Sequence, residues 1–269
     1  MTTDAVFSGS IPSLYDKYLG PLIFEPYAQD LGNRLSVLHA ERVLETAAGT
    51  GIVTRALERS LSPRGSIVAT DLNQPMLDHA AERLPSSRVS WQKADAQALP
   101  FPDATFDAVT CQFGVMFFPD KARAFSEARR VLRPGGVLLF SVWDRIEENE
   151  FADAVTTALE SLFPQDPPRF LARTPHGYHD LALVRKDLQG GGFVSPPQID
   201  TVAARSKAAS PRIPALAYCQ GTPLRSEIEA RDSARLAEAT DFASAAVARR
   251  FGPAAVDSKI QAHIVAIER

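Results

Sequence analysis

Five residues carry the first chemical argument. Glu45, Gly49 and Gly51 fall in VLETAAGTG (43–51), Asp71 closes GSIVATD (65–71), and Asp95 ends RVSWQKAD (88–95). A short apolar run that enters a glycine turn lets backbone approach a ligand closely. An acid ending the next such run can accept both hydroxyl protons of a ribose. Asp95 is placed for an adenine amino group, which only donates, and the apolar Leu72 and Met76 are available to cover the base. A nucleoside-shaped ligand is implied. The phosphate end is poorly provided: Thr54 stands where the dinucleotide pattern G-x-G-x-x-G has its third glycine. Glu45 beside the turn repels a pyrophosphate and favours an ammonium.

Two further stretches bear groups able to act on a substrate. HGYHD (176–180) puts His176 and His179 with a tyrosine and an acid in five residues. Histidine accepts protons near neutral pH, so both are candidate catalytic bases, with surface and helix-capping roles as the alternative. YCQGTPLR (218–225) offers polar groups at a helix break, either lining a substrate site or forming a plain loop. His39, His79 and His263 fall in contexts that suggest helix surfaces or the last strand. Neither cysteine, Cys111 or Cys219, has a Cys or His at zinc spacing, so no metal site is expected.

These residues need a frame that brings strand ends together. Strands are expected at 42–47, 65–71, 88–95, 106–114 and 136–143, with helices at 51–61, 74–84 and 120–132 between them. Pro75 suits the first turn of its helix, and LRPGG (132–136) reads as a helix stop and turn. Such alternation means a parallel sheet covered on both faces. Beyond Trp143 the rhythm changes: an amphipathic helix at 149–163, a Pro-rich stretch, a short strand near 198–204, helices within 212–250 and a closing strand at 261–269. The first 38 residues read as helices. The N-terminal segment and the late connections are expected over the carboxyl ends of the strands, where open α/β sheets bind ligands.

Composition bounds the partners. The 269 residues carry 29 Lys and Arg against 32 Asp and Glu, a net charge of −3, which argues against a nucleic-acid binder. Two cysteines argue against a disulfide framework and fit a reducing compartment. MTTDAVFSGSIPS lacks the basic and apolar regions of a secretory signal, and no apolar run reaches the ~18 residues of a membrane span. A cytoplasmic protein is expected.

An adenosine at one end and an amino acid at the other satisfies both halves of the first argument, and S-adenosylmethionine is such a ligand. VLETAAGTGIVTRAL, ATDLNQPML, WQKADAQALPFPDATFDAV and EARRVLRPGG, together spanning about 43–143, resemble the class I S-adenosylmethionine-dependent methyltransferases. The subgroup most resembled contains the ubiquinone/menaquinone-biosynthesis C-methyltransferases. The resemblance implies an α/β, Rossmann-like sheet of seven strands in the order 3-2-1-4-5-7-6, the last antiparallel, with a helical cap. It implies one domain over 1–269: a core of about 36–147 plus the strands near 198–204 and 261–269, and a cap from 1–35, 149–190 and 208–252.

By the same analogy Glu45, Gly49 and Gly51 meet the methionine part, Asp71 the ribose, and Asp95 and Ala96 the adenine, with Gln112 or Phe113 beside the sulfonium. Ala47 stands where the pattern usually has glycine; one methyl is expected to tighten the turn without blocking it. Tyr15 and Tyr18 are placed to close over the cofactor, with ordinary aromatic packing as the alternative. QFGVMFF (112–118) lacks the polar N/D-P-P-Y motif of DNA- and protein-methylating relatives, and its Phe113, Met116, Phe117 and Phe118 suggest a small, partly apolar acceptor. Methyl transfer onto carbon, oxygen or nitrogen is therefore expected. The alternatives are a family member doing other chemistry (a cyclase or hydroxylase), a non-enzymatic binding protein, and a nicotinamide-dependent oxidoreductase, which Thr54 and Glu45 disfavour. Oligomeric state is not legible.

Overall fold

A computed structural model describes residues 11–269. The expectations that touch residues 1–10, including the start of the N-terminal cap and of SGSIPS, lie outside the described residues. In chain order the helices and strands are α1 (Ile11–Leu14), a π-helix (Tyr15–Phe24), α2 (Glu25–Val37), β1 (Arg42–Thr46), α3 (Ile52–Ser60), β2 (Ser66–Asp71), α4 (Gln74–Arg83), β3 (Val89–Lys93) and β4 (Phe106–Gln112). There follow α5 (Lys121–Val131), β5 (Leu132–Trp143), α6 (Glu150–Leu162), α7 (Phe170–Arg173), α8 (Leu181–Gly190) and β6 (Gln198–Ala208). The chain ends with α9 (Arg212–Gly221), α10 (Leu224–Arg231), α11 (Leu236–Phe251) and β7 (Val256–Glu268). The sheet order is β3-β2-β1-β4-β5-β7-β6, with β7 antiparallel to both neighbours, as the family resemblance implies.

The described residues divide into two compact units: 11–24, 143–177 and 203–261 in the first, and 25–142, 178–202 and 262–269 in the second. In the second unit β1, β2, β3, β4 and β5 pair in parallel. Their shared core is apolar because parallel strands are covered on both faces: Val43, Leu44, Ile67, Ala69, Ala108, Val109, Leu138 and Phe140 are all buried. Each fully buried Leu or Phe contributes about 1.5–3 kcal/mol. Helix α3 turns Ile52, Val53, Ala56 and Leu57 inward at helical spacing. The buried Tyr27 of α2 donates its hydroxyl to the Val202 carbonyl of β6 at 3.1 Å.

In the first unit, α6 buries Phe151, Val155, Ala158 and Leu159, and the Phe151 ring meets Phe251 of α11 edge-on at 5.0 Å. Leu162, at the end of the amphipathic helix expected at 149–163, is only half-buried.

Two local features differ from expectation. The N-terminal helical stretch runs as a ten-residue π-helix from Tyr15 to Phe24. Pro21 lies inside it and lacks the N–H that a regular α-helix needs at that place. The second feature is LRPGG. Helix α5 does stop at Val131, but Leu132 already pairs with Phe106 and the next pair is Ala108 with Val137. The proline and two glycines therefore form a bulge inside β5 rather than a turn ahead of it.

Candidate active site

The turn between β1 and α3 is where backbone conformation is most unusual. Ala47, Gly49 and Gly51 have φ of 54°, 55° and 76°, all left-handed. The two glycines are required for different reasons. A Cβ on Gly51 would lie 3.0 Å from the Trp91 ring and 3.1 Å from Ala80 Cβ, so its smallness lets α4 and β3 approach. A Cβ on Gly49 would meet nothing within 4 Å, so this residue faces open space that a ligand can fill.

At Ala47, where one methyl was expected to tighten the turn without blocking it, the backbone is left-handed as well. An L-residue in the left-handed region costs about 1–2 kcal/mol. Its methyl also occupies the space that a Cβ on Gly114 would need, where such a Cβ would lie 2.8 Å from Cys111 Sγ as well. The strained alanine and the glycine after β4 are thus one packing unit.

Asp71 ties the second strand to this turn. Its Oδ2 accepts the Gly49 N–H at 2.9 Å, and its Oδ1 accepts the Asn73 N–H at 2.8 Å and the Asn73 side-chain amide at 3.3 Å. The Ala48 N–H reaches the Thr70 carbonyl at 2.9 Å, and the Ala94 N–H reaches that of Asp71 at 3.1 Å. The ends of β1, β2 and β3 are therefore held side by side. Burial pushes the Asp71 carboxyl up from its ordinary value, against the pull of the amides it accepts from Asn73 and Gly49.

Asp95, one turn beyond β3, accepts the Gln97 N–H at 2.9 Å and its side-chain amide at 3.3 Å. Leu72 and Ala96 are half-buried, and Met76 is buried. At the end of β4, the buried Gln112 pairs with Ser141 of β5. Phe113 follows with φ of 53°, a rare conformation for an aromatic residue. It is held there by its N–H on the Ser141 carbonyl at 3.1 Å and by its ring, edge-on to Tyr27 at 5.4 Å.

Glu45 is the least satisfied group of the site. It is 1 % exposed, and its Oε2 has no hydrogen-bond partner among the described residues. The Thr50 and Ser141 hydroxyls are likewise buried without partners. Burial, aided by the nearby Asp71 charge, pushes the Glu45 carboxyl up to about 8, although the Thr54 hydroxyl and Arg55 pull it back. A buried acid with an unmet oxygen, beside a second acid and open space at Gly49, suits a cation and hydroxyl donors rather than a phosphate.

The second unit thus brings together Glu45, Ala47, Gly49, Gly51, Asp71, Leu72, Met76, Asp95, Ala96, Gln112 and Phe113. Tyr15, Tyr18 and His176 belong to the first unit, and His179 to the second. The Tyr15 ring stacks on Phe24 at 4.9 Å, while Lys17 Nζ lies 5.0 Å from the Tyr18 ring centre. HGYHD is not one cluster. The buried His176 donates from Nδ1 to the Asp144 carbonyl at 2.9 Å, the direction set by a carbonyl that only accepts. Tyr178 donates to Asp187 at 2.7 Å, His179 is exposed, and Asp180 caps α8 by accepting the Ala182 N–H at 2.8 Å.

Sequence reading missed Asn73, Arg55 and Gly114. The D-x-N spacing after β2 is an Asx-turn signal that pointed to Asn73. Arg55 donates to the Thr50 carbonyl at 3.1 Å and so braces the turn from α3. Gly114 becomes intelligible only once Ala47 is seen against it.

The chain is similar to known methyltransferases. The profile of a methyltransferase domain matches residues 44–140. A ubiquinone/menaquinone biosynthesis C-methyltransferase from Saccharophagus degradans is 42 % identical over 170 residues, 58 % of this chain and 68 % of that protein. A protein of the same description from Teredinibacter turnerae is 31 % identical over 201 residues, 70 % of this chain and 76 % of that protein. Other such relatives are covered to 66 % of their length, so the chain spans about two thirds of the curated relatives it matches. In fold it is similar to a SAM-dependent methyltransferase from Aquifex aeolicus, with a TM-score of 0.52 and 19 % identity, covering 70 % of this chain and 90 % of that one.

Proposed function

Because this chain belongs to the class I S-adenosylmethionine-dependent methyltransferases, of the type that includes the ubiquinone/menaquinone-biosynthesis C-methyltransferases, we propose that Glu45, Gly49 and Asp71 hold the cofactor for methyl transfer to a small, partly apolar acceptor. The observation that carries the reading is the Asp71 carboxylate bonded to the Gly49 N–H beside the orphaned Glu45 oxygen. When bound, S-adenosylmethionine supplies a methyl group already activated on a sulfonium. The chain's own task is to bind, align and exclude water. Asp71 accepts the ribose hydroxyls, Asp95 and Ala96 meet the adenine with Leu72 and Met76 over its faces, and Glu45 attracts the ammonium. Ala47 and Gly51 shape the turn, and Gln112 and Phe113 flank the sulfonium.

Buried Phe113, Val115 and Met116 with half-buried Phe117 and Phe118 give the stretch after β4 an apolar character that suits a ring-bearing acceptor better than a polymer. The relatives' role in quinone biosynthesis makes carbon methylation of a hydroxylated ring the first chemistry to try. His176, buried with Nδ1 on the Asp144 carbonyl, and the exposed His179 are proposed as proton acceptors. Tyr15 and Tyr18 are proposed as cofactor residues, checked by hydrogen exchange over 11–28 with and without S-adenosylhomocysteine. Both cysteines are buried free thiols, which suits the proposed cytoplasmic location. No helix among the described residues is long and apolar enough to cross a membrane.

The test is product analysis with a labelled methyl donor against hydroxylated ring compounds. Label recovered on ring carbon supports the reading. Cofactor binding with turnover of an acceptor but no label in product points to non-methylating chemistry instead.

A further inference from the structure

Glu45 raises a question that cofactor binding alone does not answer, namely what keeps an acid stable when it is buried beside a second one. Its carboxyl sits on β1, 1 % exposed, with Oε2 unbonded. The charged and titratable groups facing it are few. Asp71 comes from β2, Arg55 from α3 beside the Thr54 hydroxyl, and the buried Cys111 from β4. Arg55 is engaged with the Thr50 carbonyl, and Asp71 is a second negative charge. Two carboxylates this deep, with one guanidinium near them among the described residues, favour a bound proton on one of the pair. Asp71 accepts three hydrogen bonds, from the Gly49 and Asn73 amides and the Asn73 side chain, which favour its charged form. Glu45 has an oxygen that accepts none, so the proton belongs on Glu45.

We propose that Glu45 is a protonated acid in the empty enzyme and surrenders its proton to solvent when the amino-acid end of the cofactor binds, so that cofactor affinity is set by pH. This rests on the cofactor reading above. The exchange balances as the Glu45 O–H bond breaking, the proton leaving to buffer and a carboxylate remaining to face the ligand ammonium. Burial holds the empty-site carboxyl up to about 8, so the effect falls within the working pH range. The sign follows from linkage: binding favours the deprotonated form, so affinity rises with pH and levels off above about 8.

The experiment is calorimetry of S-adenosylhomocysteine binding at pH 7 in two buffers of different ionisation heat, repeated at pH 6 and 8. The difference between buffers is expected to give close to one proton released. The dissociation constant is expected to fall by up to about tenfold per pH unit from 6 to 8. Methylthioadenosine, which lacks the amino-acid end, is expected to bind with no proton release, and Glu45→Gln to bind S-adenosylhomocysteine with none. Equal release with methylthioadenosine assigns the proton elsewhere and overturns the proposal. So does tight binding with no buffer dependence at pH 7. Absence of any S-adenosylhomocysteine binding between pH 6 and 8 contradicts the cofactor reading itself, a separate failure.

Discussion

The turn at Gly49 and the junction at Asn149 are both buried, polar and built on strand ends, yet they are finished to different degrees. At the junction, in the first unit, Asn149 is 2 % exposed and donates to the carbonyls of Asp144, Arg145 and Gln261 at 3.2–3.3 Å. Its Oδ1 accepts the Gln261 N–H at 3.1 Å, Gln261 in turn donates to Asp144 Oδ2 at 2.6 Å, and His176 donates to the Asp144 carbonyl at 2.9 Å. At the turn, in the second unit, Glu45 and the Thr50 hydroxyl lack partners, and Ala47 and Phe113 hold left-handed backbone. The junction is a closed network that stabilises its own unit. The turn keeps unmet bonds and strained backbone. Substitutions should therefore act in opposite directions in the two places.

The largest expected effect concerns pH and the unliganded turn. The folded chain keeps a proton on Glu45 up to about 8, whereas the ordinary value is 4.5. Between those values the native state binds more protons than the unfolded one, so stability falls as pH rises through the window. The loss amounts to at most about 5 kcal/mol. Melting temperature of the ligand-free protein should drop from pH 5 to pH 8 by more than that of Glu45→Gln. Parallel melting curves would show that Glu45 is not strained by its burial.

Next comes the junction. Asn149→Ala removes at once the bonds its side chain donates to three carbonyls and the one it accepts from the Gln261 N–H, which should cost about 2–3 kcal/mol of stability. Affinity for S-adenosylhomocysteine should stay unchanged in the folded variant. A weakened affinity at full stability would erase the contrast between the two regions.

Gly114→Ala drives a methyl into Ala47 and Cys111, and overpacking of this kind costs about 1–3 kcal/mol. Combining it with Ala47→Gly should recover much of the loss, a coupling that a double-mutant cycle measures. Ala47→Gly alone is the smallest effect and has the opposite sign. Release of the left-handed alanine should stabilise the protein by about 1 kcal/mol in denaturant titration.

What was legible in the sequence follows the same division. Glu45, Gly49, Gly51, Asp71 and Asp95 announce themselves because each is a distinctive residue at a strand end, fixed by spacing alone. The sheet order came from the family resemblance that the four motifs carry. The bulge at LRPGG was hidden because a Pro-Gly-Gly run signals a stop equally well in a turn and in a strand. The bonds of Asn149 to Gln261 span 112 positions, and no local pattern encodes them. His176 and His179 looked like a pair because they are three residues apart, but the chain passes from the first unit to the second between Gly177 and Tyr178. Ala47 was read by volume, whereas its consequence lies in a dihedral angle and in a neighbour that is remote in sequence.

The central claim is that Asp71, tied to the Gly49 N–H, holds the ribose of S-adenosylmethionine. Calorimetric titration of Asp71→Ala with S-adenosylhomocysteine tests it most directly. Loss of charged hydrogen bonds worth about 1.5–3 kcal/mol predicts a dissociation constant raised at least tenfold. An unchanged dissociation constant in a variant that remains folded would contradict the account.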